Sequence, residues 1–149
     1  MNNVLRVALT TQKGLDTLPV RAGVGVIFAA HGAQKLFGWF GGYGLEGTAN
    51  WLISMGLEPG YLLAVMAGSA EFFGGLLLII GLLVRPAALL LAVTMAVALV
   101  SVHLEHGLFM SNNGYEFALA LLTVSVGLAV RGAGSFSIDR TLASSVAKN

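Results

Sequence analysis

Apolar positions in this chain gather into four long blocks separated by short polar or glycine-rich breaks. The longest block, 61–84, holds 24 residues and one charge, Glu71, near its middle. About 20 residues rising about 1.5 Å each cross the hydrocarbon core of a bilayer, so this block predicts a membrane-spanning helix. On such a helix Glu71 shares a face with Ala64, Ala67, Gly68, Gly74, Gly75 and Leu78. Nearly all of these are small, which lets a second helix approach closely. A carboxyl group in mid-membrane costs about 3 kcal/mol on insertion scales, so Glu71 is expected to face into a bundle.

The other three blocks predict spans over 19–38, 86–106 and 115–130. Pro19 suits the first position of its helix, and Gly25, Ala29 and Gly32 form a small-residue face. His31, Gln34 and Lys35 stand at i, i+3 and i+4, on one side of the outer half of that helix. The break at 39–60 begins with Trp39, Phe40 and Tyr43 set among glycines, which is no regular helix. Thr48 could cap a short interfacial helix over 49–55, with Trp51, Leu52 and Met55 on one side. Arg85-Pro86 is the only link between the second and third spans, which predicts a tight antiparallel hairpin. The third span ends in His103, Glu105 and His106, and a turn-rich connector, 107–114, leads to the fourth. An N-terminal segment, 1–18, has Val4, Leu5, Ala8 and Leu9 spaced for a short amphipathic surface helix. Residues 132–149 read as a polar cytoplasmic tail.

The expected fold is therefore an all-α membrane protein: a four-helix transmembrane bundle over 19–131, with both termini cytoplasmic. That orientation puts Arg6, Lys13, Arg21, Arg85, Arg131, Arg140 and Lys148 inside and leaves only Lys35 outside. It also brings His31, Gln34, Lys35, Glu71, His103, His106, Tyr115 and Glu116 to the same outer half. Composition agrees: 56% of residues are hydrophobic and only 10% charged, where soluble domains carry about 25%. Mean hydropathy is +0.84. The lipid bilayer is the first partner this implies, in the cytoplasmic (inner) membrane of a bacterial-type cell. A net charge of +1 gives no footprint for nucleic acid. Cysteine is absent, which excludes disulfides, thiolate metal sites and iron–sulfur clusters in this chain. No cleavable signal peptide is read in 1–19, whose apolar pieces are too short.

Several segments resemble the DoxX family. They are HGAQKLFGWFGGYGL from His31, AGSAEFFGGLLLIIGL from Ala67 with Arg85 after it, NGYEF from Asn113, and GAGSFSID from Gly132. The resemblance extends from about Arg21 to Asp139. It implies a small four-helix membrane protein. It also implies ties to quinone-linked sulfur oxidation, to complexes handling thiol and oxidative stress, or to assembly of other membrane proteins. The absence of cysteine argues against a role in which this chain itself exchanges thiols.

Glu71 paired with Lys35, His31 or His103 could handle protons at a quinone oxygen, because burial and a neighbouring cation move its pKa in opposite directions. The plain alternative is an ion pair that keeps helices in register. Glu71, His31 and Lys35 are thus the candidate catalytic residues. Gln34, His103, Tyr115, Glu116, Trp39 and Phe40 are the candidate ligand-binding residues. Trp39, Phe40 and Tyr43 read equally well as a lid over an apolar pocket or as an interfacial aromatic belt. A haem between His31 and His103, or a metal on His106 and Glu116, is the weaker reading, because the spacing has no signature. Arg21, Arg85 and Arg131 are expected to face lipid phosphates.

Quinone is the expected cofactor, in a membrane subunit of an oxidoreductase system whose electrons or substrate come from a protein partner. An assembly or scaffold protein is the alternative, and a small-molecule or lipid carrier the third. Small-residue faces left over after the bundle closes would suit a homodimer.

Overall fold

The computed structural model describes Gly14 and residues 17–146, and all regular structure among them is helical. The amphipathic helix expected over 4–9 lies outside the described residues, as do Arg6, Lys13 and Lys148.

Helix α1, Leu18–Phe37, has Pro19 in its first turn and ends at Gly38, whose φ of 71° only glycine adopts without strain. A 3-10 turn, Trp39–Gly41, leads to α2, Gly44–Ser54, then α3, Gly60–Ile80. Helix α4, Val84–Ala98, continues through a π turn, Leu99–His103, and a 3-10 turn, Leu104–His106. After a further 3-10 turn, Met110–Asn112, come α5, Glu116–Arg131, and α6, Ile138–Val146.

Helix α1 lies along α3, and α4 lies along α5. Contact between α3 and α4 joins the two pairs, and α2 folds across α3 and α1. The α1–α3 seam is built on glycine. A methyl group added at Gly75 would stand 2.5 Å from the Ala29 nitrogen, and one at Gly25 would stand 2.7 Å from the Gly75 oxygen. Neither fits, so the backbones touch as small-residue faces allow. Phe28, Leu78, Leu91, Leu121 and Leu128 fill the core between the pairs. Large apolar side chains such as Met66, Phe73, Val93, Val97 and Val130 point outward, as they would toward lipid. Gly60–Ile80 and Val84–His106 are long and apolar enough to cross a membrane by themselves.

The small-residue face read around Glu71 matches the buried face of α3: Ala64, Gly68, Glu71, Gly74, Gly75 and Leu78. Other expectations are corrected. The second block does not stay helical to residue 84. Gly81 takes φ 73°, and Leu82 N–H bonds to the Leu77 oxygen at 3.0 Å, which closes the helix with a left-handed cap. The interhelix link is therefore 81–83, and Arg85-Pro86 belongs to the first turn of α4. Helix α2 starts at Gly44 rather than 49, so Thr48 is no cap. It is buried, and its hydroxyl donates to the Lys35 carbonyl at 3.4 Å. The segment read as a polar tail packs on the bundle over 132–146: Gly132, Ala133, Gly134 and Asp139 are buried, and 138–146 is helical.

Candidate functional site

Glu71 sits on the buried face of α3, where α1 packs closest. Lys35, in the last turn of α1, reaches it: Nζ to Oε2 is 2.5 Å. The lysine can approach because Gly68 beside it has no side chain, and an added methyl there would stand 3.3 Å from Lys35 Cβ. The Glu71 side chain is 4% exposed and that of Lys35 28%, so the lysine is the accessible half of the pair. A bond of this kind fixes the lysine nitrogen in place and leaves it donors to spare.

His31 stands one turn before Lys35 on α1, within electrostatic reach of both Lys35 and Glu71. Its ring is exposed and lies 6.0 Å from the ring of Phe117 on α5. Phe37 touches Trp39 and meets Phe72 edge-on, and Phe72 meets Phe73 in the same way. Phe72 follows Glu71 on α3, so this aromatic run begins beside the ion pair.

The remaining candidates do not join this group. Gln34 Nε2 donates to the Phe40 carbonyl at 3.4 Å. Gly42 packs on Gln34, where an added methyl would stand 2.5 Å from the Gln34 backbone. Gln34 thus holds the 38–44 loop down. Within that loop Phe40 has φ 55°, a left-handed backbone costly for a large residue. The result is to present Trp39, Phe40 and Tyr43 at 56%, 74% and 81% exposure. His103 Nδ1 lies 2.8 Å from the Asn113 carbonyl, and Glu116 accepts from the Met110 N–H at 2.6 Å. Both brace the 107–115 connector, whose Tyr115 N–H bonds to the Gly107 oxygen. A cleft of about 310 Å³ lined by Met55, Ser101, Glu105, His106 and two valines takes in none of the nine candidate residues. Among the described residues no group of three or more His, Cys, Asp or Glu is placed to hold a metal ion.

The sequence reading missed a second charged site at the opposite end. Arg21, expected at lipid phosphates, is 1% exposed. Its guanidinium donates to the Leu78 and Ile79 carbonyls at 2.7 Å each, to Ala133 at 3.1 Å, and to Phe136. It thus serves the free carbonyls at the end of α3, where the helix dipole is negative. Asp139 answers it. Its carboxylate accepts from Leu83 N–H at 2.6 Å and Val84 N–H at 3.0 Å, capping α4 from a distant part of the chain. That contact holds Leu83 at its unusual φ of 49°. The available signals were an arginine in the first turns of an apolar helix and the glycine-spaced run before Asp139 in a supposed tail.

A family model described as DoxX matches residues 17–104, from the start of α1 through the π turn that follows α4. The chain belongs to the DoxX family. The match takes in both Lys35 and Glu71. The DoxX chain is 35% identical over 125 residues to "Putative oxidoreductase CatD" of Bacillus subtilis (strain 168), covering 84% of this chain and 85% of that one. It is also 35% identical over 125 residues to "Inner membrane protein YqjF" of Escherichia coli (strain K12), covering 80% and 92%. No solved structure matches it. Family, relative and apolar helices together make this DoxX chain an inner-membrane protein.

Proposed function

We propose that this chain is a four-span membrane subunit of a quinone-linked oxidoreductase system, with both termini cytoplasmic and with His31, Lys35 and Glu71 forming its ligand site. The observation that carries the reading is the Lys35–Glu71 pair, buried on one side and reachable on the other, in an apolar bundle. Ionisable groups at such depth mark function more often than accident. The name of the Bacillus subtilis relative supports an oxidoreductase role.

The residues present suit a quinone headgroup, which is a flat apolar ring with carbonyl oxygens on opposite edges. Phe117 offers a ring beside His31, and Phe72 follows Glu71 on α3. Lys35 has donors left after Glu71 and can hold a carbonyl oxygen. His31 is exposed and can pass protons to or from that oxygen. Glu71 keeps Lys35 aimed. A bound quinone supplies the electron and proton carrier, and a partner protein delivers the electrons. His103, Tyr115 and Glu116 lie outside this site, since their bonds serve the connector.

An assembly or scaffold role is the second reading, favoured by the aromatic shelf of Trp39, Phe40 and Tyr43, which stands far out of the bundle. One extraction separates the two. The protein is purified in mild detergent and its bound small molecules are identified by mass spectrometry, for the native chain, Glu71→Gln and Lys35→Met. Quinone in the native sample that is lost in both variants supports the redox site. Ordinary phospholipid alone in all three, with no binding of added quinone, sinks it and turns the search to a protein partner.

A further inference from the structure

Helix α6 has a face that nothing in the bundle covers. Asp139 and Ala143 turn inward, while Ile138 and Leu142, at i and i+4, are 40% and 41% exposed. Phe136, just before the helix, is 67% exposed. Large apolar side chains thus stand exposed at the start of the helix and along one side of it, with Thr141 and Ser145 beside them and Arg140 and Ser144 on the adjoining side. The helix is not free to retract them. Asp139 is tied to Leu83 and Val84, its N–H to the Gly81 oxygen at 3.0 Å, and the Phe136 carbonyl to Arg21.

Charge surrounds this face with one sign. Asp139 holds the N–H of Val84, so the next residue, Arg85, stands near the start of α6, and Arg85 also donates to the Val130 carbonyl at 2.8 Å, beside Arg131. Arg85, Arg131 and Arg140 therefore gather at this end. Its one acidic residue among those described, Asp139, is buried. The far end carries Glu46, Glu58, Glu105 and Glu116 instead. The exposed apolar face also continues into the outward surface of the spanning helices through Ile80 and Val130, at 46% and 69% exposure.

We propose that α6 is an interfacial anchor for anionic phospholipid. Phe136, Ile138 and Leu142 enter the boundary between headgroups and acyl chains, and Arg85, Arg131 and Arg140 hold the lipid phosphates. Apolar residues beside a basic face are what such a surface selects, and each nearby arginine adds attraction to an anionic leaflet. The proposal goes beyond the quinone reading and does not depend on it.

The test uses the absence of cysteine from the chain. Leu142→Cys and Ser144→Cys are each spin-labelled in the full-length protein and placed in nanodiscs, which leave both leaflets open. The discs are phosphatidylcholine with or without phosphatidylglycerol. Collision with oxygen reports acyl chains, and collision with a neutral nickel chelate reports water. In phosphatidylglycerol discs the Leu142 label should favour oxygen several-fold over its value in phosphatidylcholine, while the Ser144 label stays open to nickel. Arg131→Gln with Arg140→Gln should remove the gain. Gel filtration of that variant in detergent confirms that it is folded. A Leu142 label open to nickel in both discs overturns the proposal. Equal shielding in both, unchanged by the arginine variants, overturns anionic lipid as the occupant. A label shielded from both reagents shows a covering protein surface and overturns it as well.

Discussion

Glu71 and Arg21 are 3% and 1% exposed, and the chain accommodates the two charges differently. Glu71 meets a full opposite charge, Lys35. Breaking such a buried pair costs about 3–5 kcal/mol when the survivor stays buried, because its charge is left uncompensated. The halves are unequal, since Lys35 can turn to water and Glu71 cannot. Lys35→Met should therefore lower the melting temperature in detergent more than Glu71→Gln, and the double variant should lie above Lys35→Met. Equal losses would mean that the site is wetter than its geometry suggests. Arg21 instead meets four carbonyl oxygens and, more distantly, Asp139. Arg21→Gln cannot serve all of them, so we expect a loss of about 3 kcal/mol in thermal unfolding, the scale of several unmet buried polar groups. Asp139 lies beyond the spanning helices. Burial pushes its carboxyl above the ordinary 3.8, while the Val84 and Leu83 N–H groups and Arg21 pull it part of the way back. The folded state thus favours the protonated acid. This contribution to stability is full below pH 3.8 and is lost as pH rises through the raised folded value. Asp139→Asn should flatten that part of the melting-temperature profile.

The α1–α3 seam sets the distance between Lys35 and Glu71. An added methyl at Gly32 would collide with the backbone of Phe72, whereas one at Gly23, on the same helix, would meet nothing within 4 Å. Gly32→Ala should force the helices apart, with a cost of about 2 kcal/mol or more from overpacking. Gly23→Ala should be neutral or stabilising by up to about 1 kcal/mol, since alanine suits a helix better. Thermal unfolding of both variants checks the contrast, and loss of any quinone binding in Gly32→Ala alone would tie the seam to the site. The bounds of α1 and α5 were legible within a residue, because Pro19 and the Gly38 and Gly132 breaks are local signals. The end of α3 was not. Hydropathy runs on through Gly81 to Val84, and only a left-handed cap backed by Arg21 stops the helix at Ile80.

At the scale of the molecule, charge is segregated among the described residues. Arg21, Arg85, Arg131 and Arg140 stand at one end, and Lys35 with most glutamates stands at the other. The proposed topology puts the basic end in the cytoplasm. In intact cells Glu105→Cys should then react with a membrane-impermeant maleimide, and Ser144→Cys only after permeabilisation. The reverse pattern would invert the orientation. The sequence by itself determined the class of this protein, the helical blocks and the small-residue face around Glu71. Those follow from hydropathy and the 3.6-residue period, which are properties of a chain read locally. Only the tertiary structure decided which polar groups meet. It divided the candidates between an ion pair and a braced connector, because a side chain's reach depends on how close two backbones come. It also turned a supposed tail into a clasp, because Arg21 and Asp139 lie more than a hundred residues apart in sequence and act through carbonyl and N–H groups that carry no side-chain signature.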